Sequence, residues 1–139
     1  MAVWQFTFYI IPGKKDTTVE GEAKLPWGVT DPSLEKIGFL PKNKSWSNSI
    51  SQYGKDDETC IEYIYDDKIL SEIKCRLDLR SLTGKQLEEI LEYSRSIGGI
   101  VFYQEKTYCP DPFEITQLIM KSAVYRFCKN PQKFLSEIG

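Results

Sequence analysis

Histidine is absent from all 139 residues. That one gap removes Ser-His-Asp and Cys-His nucleophile systems, imidazole proton shuttling and most zinc sites. No run of apolar residues approaches the roughly 20 needed to cross a bilayer as a helix. No C-x-x-C pair occurs, and Cys60, Cys75, Cys109 and Cys128 lie far apart. With nothing pointing to export, reduced packing thiols are expected. Whether Cys60 and Cys75 face each other across a hairpin depends on a register that spacing leaves open. Neither G-x-x-x-x-G-K-[ST] nor G-x-G-x-x-G is present, and the isolated Gly-Lys pairs at 54–55 and 84–85 do not make a phosphate loop. A basic run is missing as well. The chain carries 18 Lys and Arg against 20 Asp and Glu, for a net charge of −2, which argues against a primary nucleic-acid role.

What is present is ordinary for a folded domain: 41% apolar and 27% charged residues. Residues 1–139 are expected to form a single domain large enough for a core without staples. The opening "MAVWQFTFYIIPGKK" lacks a charged n-region and reads as a strand over residues 2–11, so the cytoplasm is the expected compartment. Residues 12–30 read as loop. "TDPSLEKIGFLP" offers Asp31 as an N-cap and Pro32 at the first helical position, with room for a turn or two. In "KSWSNSISQYG", Trp46, Ile50 and Tyr53 recur at i, i+4, i+7, with Ser47 to cap and Gly54 to stop, which predicts another short helix.

Residues 55–80 hold the clearest unit. Two β-rich runs flank Asp66-Asp67-Lys68, a polar connection suited to a hairpin. Within the second run, "IKCRLDLRS" places Ile73, Cys75, Leu77 and Leu79 on one parity and Lys74, Arg76, Asp78 and Arg80 on the other. "SLTGKQLEEILEYSRSIGG" is the clearest helix, capped by Thr83 with Gln86 and ended by Gly98-Gly99. A short strand at 100–104 follows. A last helix starts at Asp111-Pro112 and runs toward Asn130-Pro131, where the chain breaks and restarts a final turn. This order predicts an α+β fold: a mainly antiparallel sheet of about four strands with two main helices packed on one face.

The acids Asp56, Asp57, Glu58, Asp66 and Asp67 fall in connectors and lack calcium-loop spacing. Cys109 before Pro110 has no neighbouring base or cation to activate it. No catalytic residue, metal ligand or cofactor is therefore assigned. The remaining candidate is the uncovered sheet face. Arg76, Asp78 and Arg80 recur every ~7 Å along the strand, and Tyr9, Tyr63 or Tyr65, and Tyr103 are positioned to join them from neighbouring strands. Tyr and Arg are enriched where interfaces concentrate their energy. The competing reading is a solvated exterior whose Arg and Asp pair for solubility.

"FLPKNKSWSNSISQYG", "CRLDLR" and "KSAVYRFCKNPQKFL" give the chain, over roughly residues 39–135, a Trp after a loop, an R-x-D-x-R strand and a final helix closing in Asn-Pro. In this it resembles small standalone bacterial proteins, some of which are immunity partners in polymorphic-toxin or contact-dependent inhibition systems. The resemblance implies a cytoplasmic, acidic binder that occludes a toxin domain, and carries no residue roles with it. The expected function is a non-enzymatic protein-binding module of that kind. The alternatives are a small-molecule-binding or hydrolytic domain and a homodimeric structural subunit.

Overall fold

The structure, a computed structural model, describes residues 4–13, 27–30, 32–35, 37–45, 47–122 and 125. Alternation of apolar and polar side chains drives most of it into strands. These are β1 (Gln5–Pro12), β2 (Lys42–Asn43), β3 (Ile50–Tyr53), β4 (Cys60–Asp66), β5 (Ile69–Asp78), β6 (Gly99–Tyr103) and β7 (Lys106–Tyr108). All pair antiparallel in one sheet of order β2-β3-β4-β5-β1-β6-β7. The α+β class holds, but the sheet has seven strands rather than about four. The missed strands are short and polar: β2 has two residues and β7 is Lys-Thr-Tyr. β3 occupies the end of the segment whose i, i+4, i+7 spacing suggested a helix. There the edge of β4 captures Ile50–Tyr53 as an additional strand, and tertiary pairing overrides the local pattern. Trp46 lies outside the described residues, as do Ala2, Asp31, Cys128 and the expected final turn at 131–139.

β1 lies in the middle of the sheet, between β5 and β6, so its apolar parity is buried from both sides. Phe6, Phe8 and Ile10 oppose Leu77, Cys75 and Ile73. Ile61 and Tyr63 extend this surface from β4, and Val101 extends it from β6. The two helices, α1 (Gly84–Ser96) and α2 (Pro112–Lys121), contribute Leu87, Ile90, Leu91, Ile115 and Ile119 to the same cluster. Both therefore cover one face of the sheet, each buried aliphatic side chain contributing about 1.5–3 kcal/mol. Their starts follow the sequence. Thr83 accepts the Gln86 N–H at 3.1 Å, and Asp111 accepts the Glu114 N–H at 3.0 Å with Pro112 at the first helical position. Between β1 and β2, Pro32–Glu35 forms one 3₁₀ turn, η1.

A bulge adjusts the long hairpin. Ile64 opposes Glu72 and Tyr65 opposes Leu70, so Ser71 is the extra residue. Leu70 and Ile73 consequently both reach the core although three positions separate them. Past the end of β1, the edge of β5 is met by residues 27–29. Leu70 and Val29 form an isolated bridge, and the Trp27 indole donates to the Ile10 carbonyl at 2.8 Å. Among the described residues no helix is long and apolar enough to cross a membrane.

Candidate functional site

The charged parity of β5 lies on the sheet face opposite the helices, as alternation requires, but it is not bare. The connection between β3 and β4, residues 54–59, folds back over it as a strap. Gly54 starts the strap at φ +87°, where an added Cβ would stand 2.3 Å from the Thr59 carbonyl oxygen. The strap is held by its own carbonyls. Gln5 Nε2 donates to Asp56 and Glu58 at 3.1 and 2.6 Å, and Trp4 Nε1 donates to Asp57 at 2.8 Å. Arg76 Nη2 meets the Asp56 carboxylate at 3.1 Å and also the Glu62 carboxylate, in a pair with both partners buried. The Asp78 amide donates to Thr59 Oγ1 at 2.9 Å, while its carboxylate collects Arg80 N, Nε and Nη2, each at 3.0 Å.

The expected site therefore comes apart. Arg76 and Asp78 are 6% and 2% exposed, sealed beneath the chain's own backbone. Arg80 stays exposed and stacks on the Trp4 ring, its Cζ 3.8 Å from the centroid. Tyr9 shares their face, half-buried opposite Lys74. Tyr63, Tyr65 and Tyr103 belong to the other side. Tyr63 is in the core, Tyr65 packs against it, and Tyr103 stacks on Phe6 with centroids 4.7 Å apart. Cys60 and Cys75 do not oppose each other, since Cys60 faces Arg76 and Cys75 faces Ile61. Both are buried free thiols. Burial pushes Cys60 up to about 11, with the neighbouring Arg76 acting in the other direction, and burial raises Cys75 well above its ordinary value.

On the helix side, sequence reasoning missed a connected set of phenols. Tyr53 donates to Glu35 Oε1 at 3.1 Å, and Tyr65 donates to Glu35 Oε2. Tyr63 donates to the Tyr93 hydroxyl at 2.6 Å, and Tyr93 in turn donates to the Leu34 carbonyl. Every pKa shift among these phenols is upward, with burial the leading cause; Glu35 adds to it at Tyr53 and Tyr65, and Tyr93 adds to it at Tyr63. They are committed donors rather than nucleophiles. η1 is thus fastened to β3 and β4 by its side chain and to α1 by its backbone. Glu35 gave no local signal of this, because its partners are 18 and 30 residues away.

Residues of the η1–β2 segment line two depressions. One, of about 500 Å³, is a groove whose apolar wall is Ile37, Phe39 and Tyr93 and whose helical wall is Lys85, Glu88, Glu89 and Glu92 of α1. Phe39 meets Tyr93 edge-on at 6.3 Å. Arg95 ties up Glu88 and Glu92, each at 2.7 Å. Glu89, half-buried, makes no ion pair among the described residues. The other depression, of about 540 Å³, is polar. Glu35, Tyr65, Lys42 and Lys68 line it together with Thr30, Asn48, Ser49, Ser51 and Asp67.

Comparison of the chain with protein-family models, curated proteins and solved structures returns no match.

Proposed function

We propose that this protein is a non-enzymatic, protein-binding module of the immunity type, and that it engages its partner through the groove between residues 37–39 and α1. The observation that carries this reading is the groove's composition. An aromatic and aliphatic wall lies beside three carboxylates and one lysine, and Glu89 makes no ion pair among the described residues. Such a surface accepts an apolar anchor flanked by cations, the arrangement a basic toxin domain would supply. A cavity of about 500 Å³ takes one or two side chains, which suits an anchor rather than a whole substrate. The Arg/Asp ladder of β5 serves the strap in this reading and has no part in docking.

The test begins with the neighbouring gene: if it encodes a toxin domain, the purified chain is titrated calorimetrically with that domain, and co-expression is scored for restored growth. Glu89→Lys and Phe39→Ala are expected to weaken binding by roughly tenfold or more, about 1.4 kcal/mol, and to lose protection while the circular dichroism spectrum stays native. Wild-type affinity in both variants would move the interface elsewhere. A neighbouring gene that encodes no toxin, or growth that co-expression does not restore, would remove the immunity reading.

A further inference from the structure

The space beneath the strap encloses a thiol that the docking reading does not use. Cys60 lies on the helix-free face, directly opposite Arg76, and is fully buried although it stands apart from the core cluster. Its cover is the strap. Gly54 packs over it so closely that an added Cβ would stand 3.2 Å from the Cys60 Cβ. Arg76 Nη1 and Nη2 hold the Asp56 carbonyl and carboxylate there, at 3.4 and 3.1 Å. Arg76 Nε, also buried, has no hydrogen-bond partner among the described residues. A guanidinium N–H sealed from water without an acceptor is costly. It leaves one donor unspent on the residue that faces the thiol.

The cover has no anchor in the core. Residues 54–59, Gly-Lys-Asp-Asp-Glu-Thr, include no apolar side chain, and residues 55–58 are exposed. Hydrogen bonds from Trp4, Gln5, Arg76, Arg80 and Asp78 hold it, and each contributes little net stability beside water. A segment without buried apolar contacts opens at a lower free energy than the core. Opening changes the surroundings of the thiol in one direction. Burial is the leading cause that holds Cys60 up at about 11; Arg76 opposes it, and Glu62 and Asp56 add to it. Lifting the strap relieves the burial and removes Asp56, whereas Arg76 and Glu62 stay on the sheet. Of those two Arg76 has the larger effect, so the uncovered sulfur sits beside a cation that favours its thiolate, the nucleophilic form.

We infer that Cys60 is an oxidation site gated by the strap: a hydroperoxide admitted when residues 54–59 lift converts the thiol to a sulfenic acid, and the added oxygen keeps the strap from reseating. The thiol proton passes to water, the sulfur attacks one peroxide oxygen, and an S–O bond forms as the O–O bond breaks. Sulfur loses two electrons, and the departing hydroxide takes up a proton and leaves as water. Arg76 Nε supplies the new oxygen with a donor. The close fit of Gly54 over Cys60 leaves that oxygen no room under a seated strap. Cys75 points into the core from the other side of the sheet, so it cannot close a disulfide with the product. The site lies on the face away from the groove, and the partner reading and this one stand or fall separately.

The test is treatment of the full chain with hydrogen peroxide and dimedone, which traps sulfenic acids, followed by peptide mass spectrometry. An adduct is expected at Cys60 and not at Cys75, although both are buried. Thr59→Val removes the acceptor of the Asp78 amide and should speed trapping at Cys60 by roughly fivefold. Arg76→Met with Glu62→Leu separates activation from access, because it frees Asp56 and loosens the strap while it removes the cation. Exchange of the Asp78 amide reports strap opening, and trapping at Cys60 relative to that exchange should fall roughly tenfold. Peroxide alone should speed Asp78 exchange and leave the Leu87 amide protected, and dithiothreitol should reverse the change. Oxidation of exposed Cys109 without Cys60, equal trapping at Cys60 and Cys75, or an unchanged ratio in the double replacement would overturn the site. Unchanged Asp78 exchange after oxidation would overturn the effect on the strap.

Discussion

Arg76 holds a buried guanidinium between two carboxylates of opposite character: Glu62 is 5% exposed at its side chain and Asp56 is 72% exposed. The two pairings have different values. Removing one partner of a buried pair strands the other charge, so Arg76→Ala should cost about 3–5 kcal/mol in urea unfolding. Asp56→Ala should cost less than about 1 kcal/mol, because an exposed pair is screened and disordered. The double replacement Arg76→Met with Glu62→Leu should recover most of the loss, since it leaves no charge behind. If Arg76→Ala and Asp56→Ala destabilise equally, the Arg76–Glu62 pair does not carry the strap. The parity of Arg76 was legible from "IKCRLDLRS", but its burial was not. The strap covers it through the carbonyls of Asp56, Asp57 and Glu58, and a backbone acceptor leaves no trace in side-chain composition. A run of Lys, Asp and Glu looks solvated whether or not its backbone is engaged.

At the level of elements, signals carried within a few residues were readable and signals carried by partners were not. Thr83, Asp111 and Pro112 announced both helices because a cap and its N–H lie three residues apart. The hairpin at Asp67-Lys68 was evident from the β-rich runs around it. Its twin at Gln104-Glu105 was not, because neither residue favours left-handed backbone and β7 has no apolar alternation. Gly54 suggested a helix stop at the right residue for the wrong reason; its positive φ turns β3 into the strap. Gly54→Ala should therefore destabilise by more than the roughly 1–2 kcal/mol of left-handed strain alone, since the new Cβ overlaps the Thr59 carbonyl and unseats the strap. Hydrogen exchange localises the effect. The Asp78 amide, bonded to Thr59 Oγ1, should lose protection while the Leu87 amide within α1 keeps its own. Uniform loss at both would mean that the strap has no separate stability.

Phenols bind η1 to the sheet and to α1, and this gives the stability of the whole molecule a direction with pH. A phenol is neutral when protonated, and Tyr53, Tyr63, Tyr65 and Tyr93 all have folded pKa values above the ordinary value near 10. The unfolded chain then releases these protons first. Each phenol's contribution is fully present below its unfolded value and is lost as pH rises toward its folded one. The thiols of Cys60 and Cys75 act in the same sense from about one unit lower, with Cys60 held at about 11. Stability should therefore start to fall near pH 9 and fall more steeply above pH 10. Urea midpoints measured across this range provide the check, alongside tyrosinate absorbance. Ionisation of the four phenols should appear with the loss of secondary structure and not before it. Tyr65→Phe should lower stability at neutral pH, because Glu35 loses a donor, yet show a shallower alkaline decline because one linked proton is gone. Tyrosinate forming in full while the circular dichroism spectrum remains native would mean that the phenols are not what fastens η1 to the sheet and to α1.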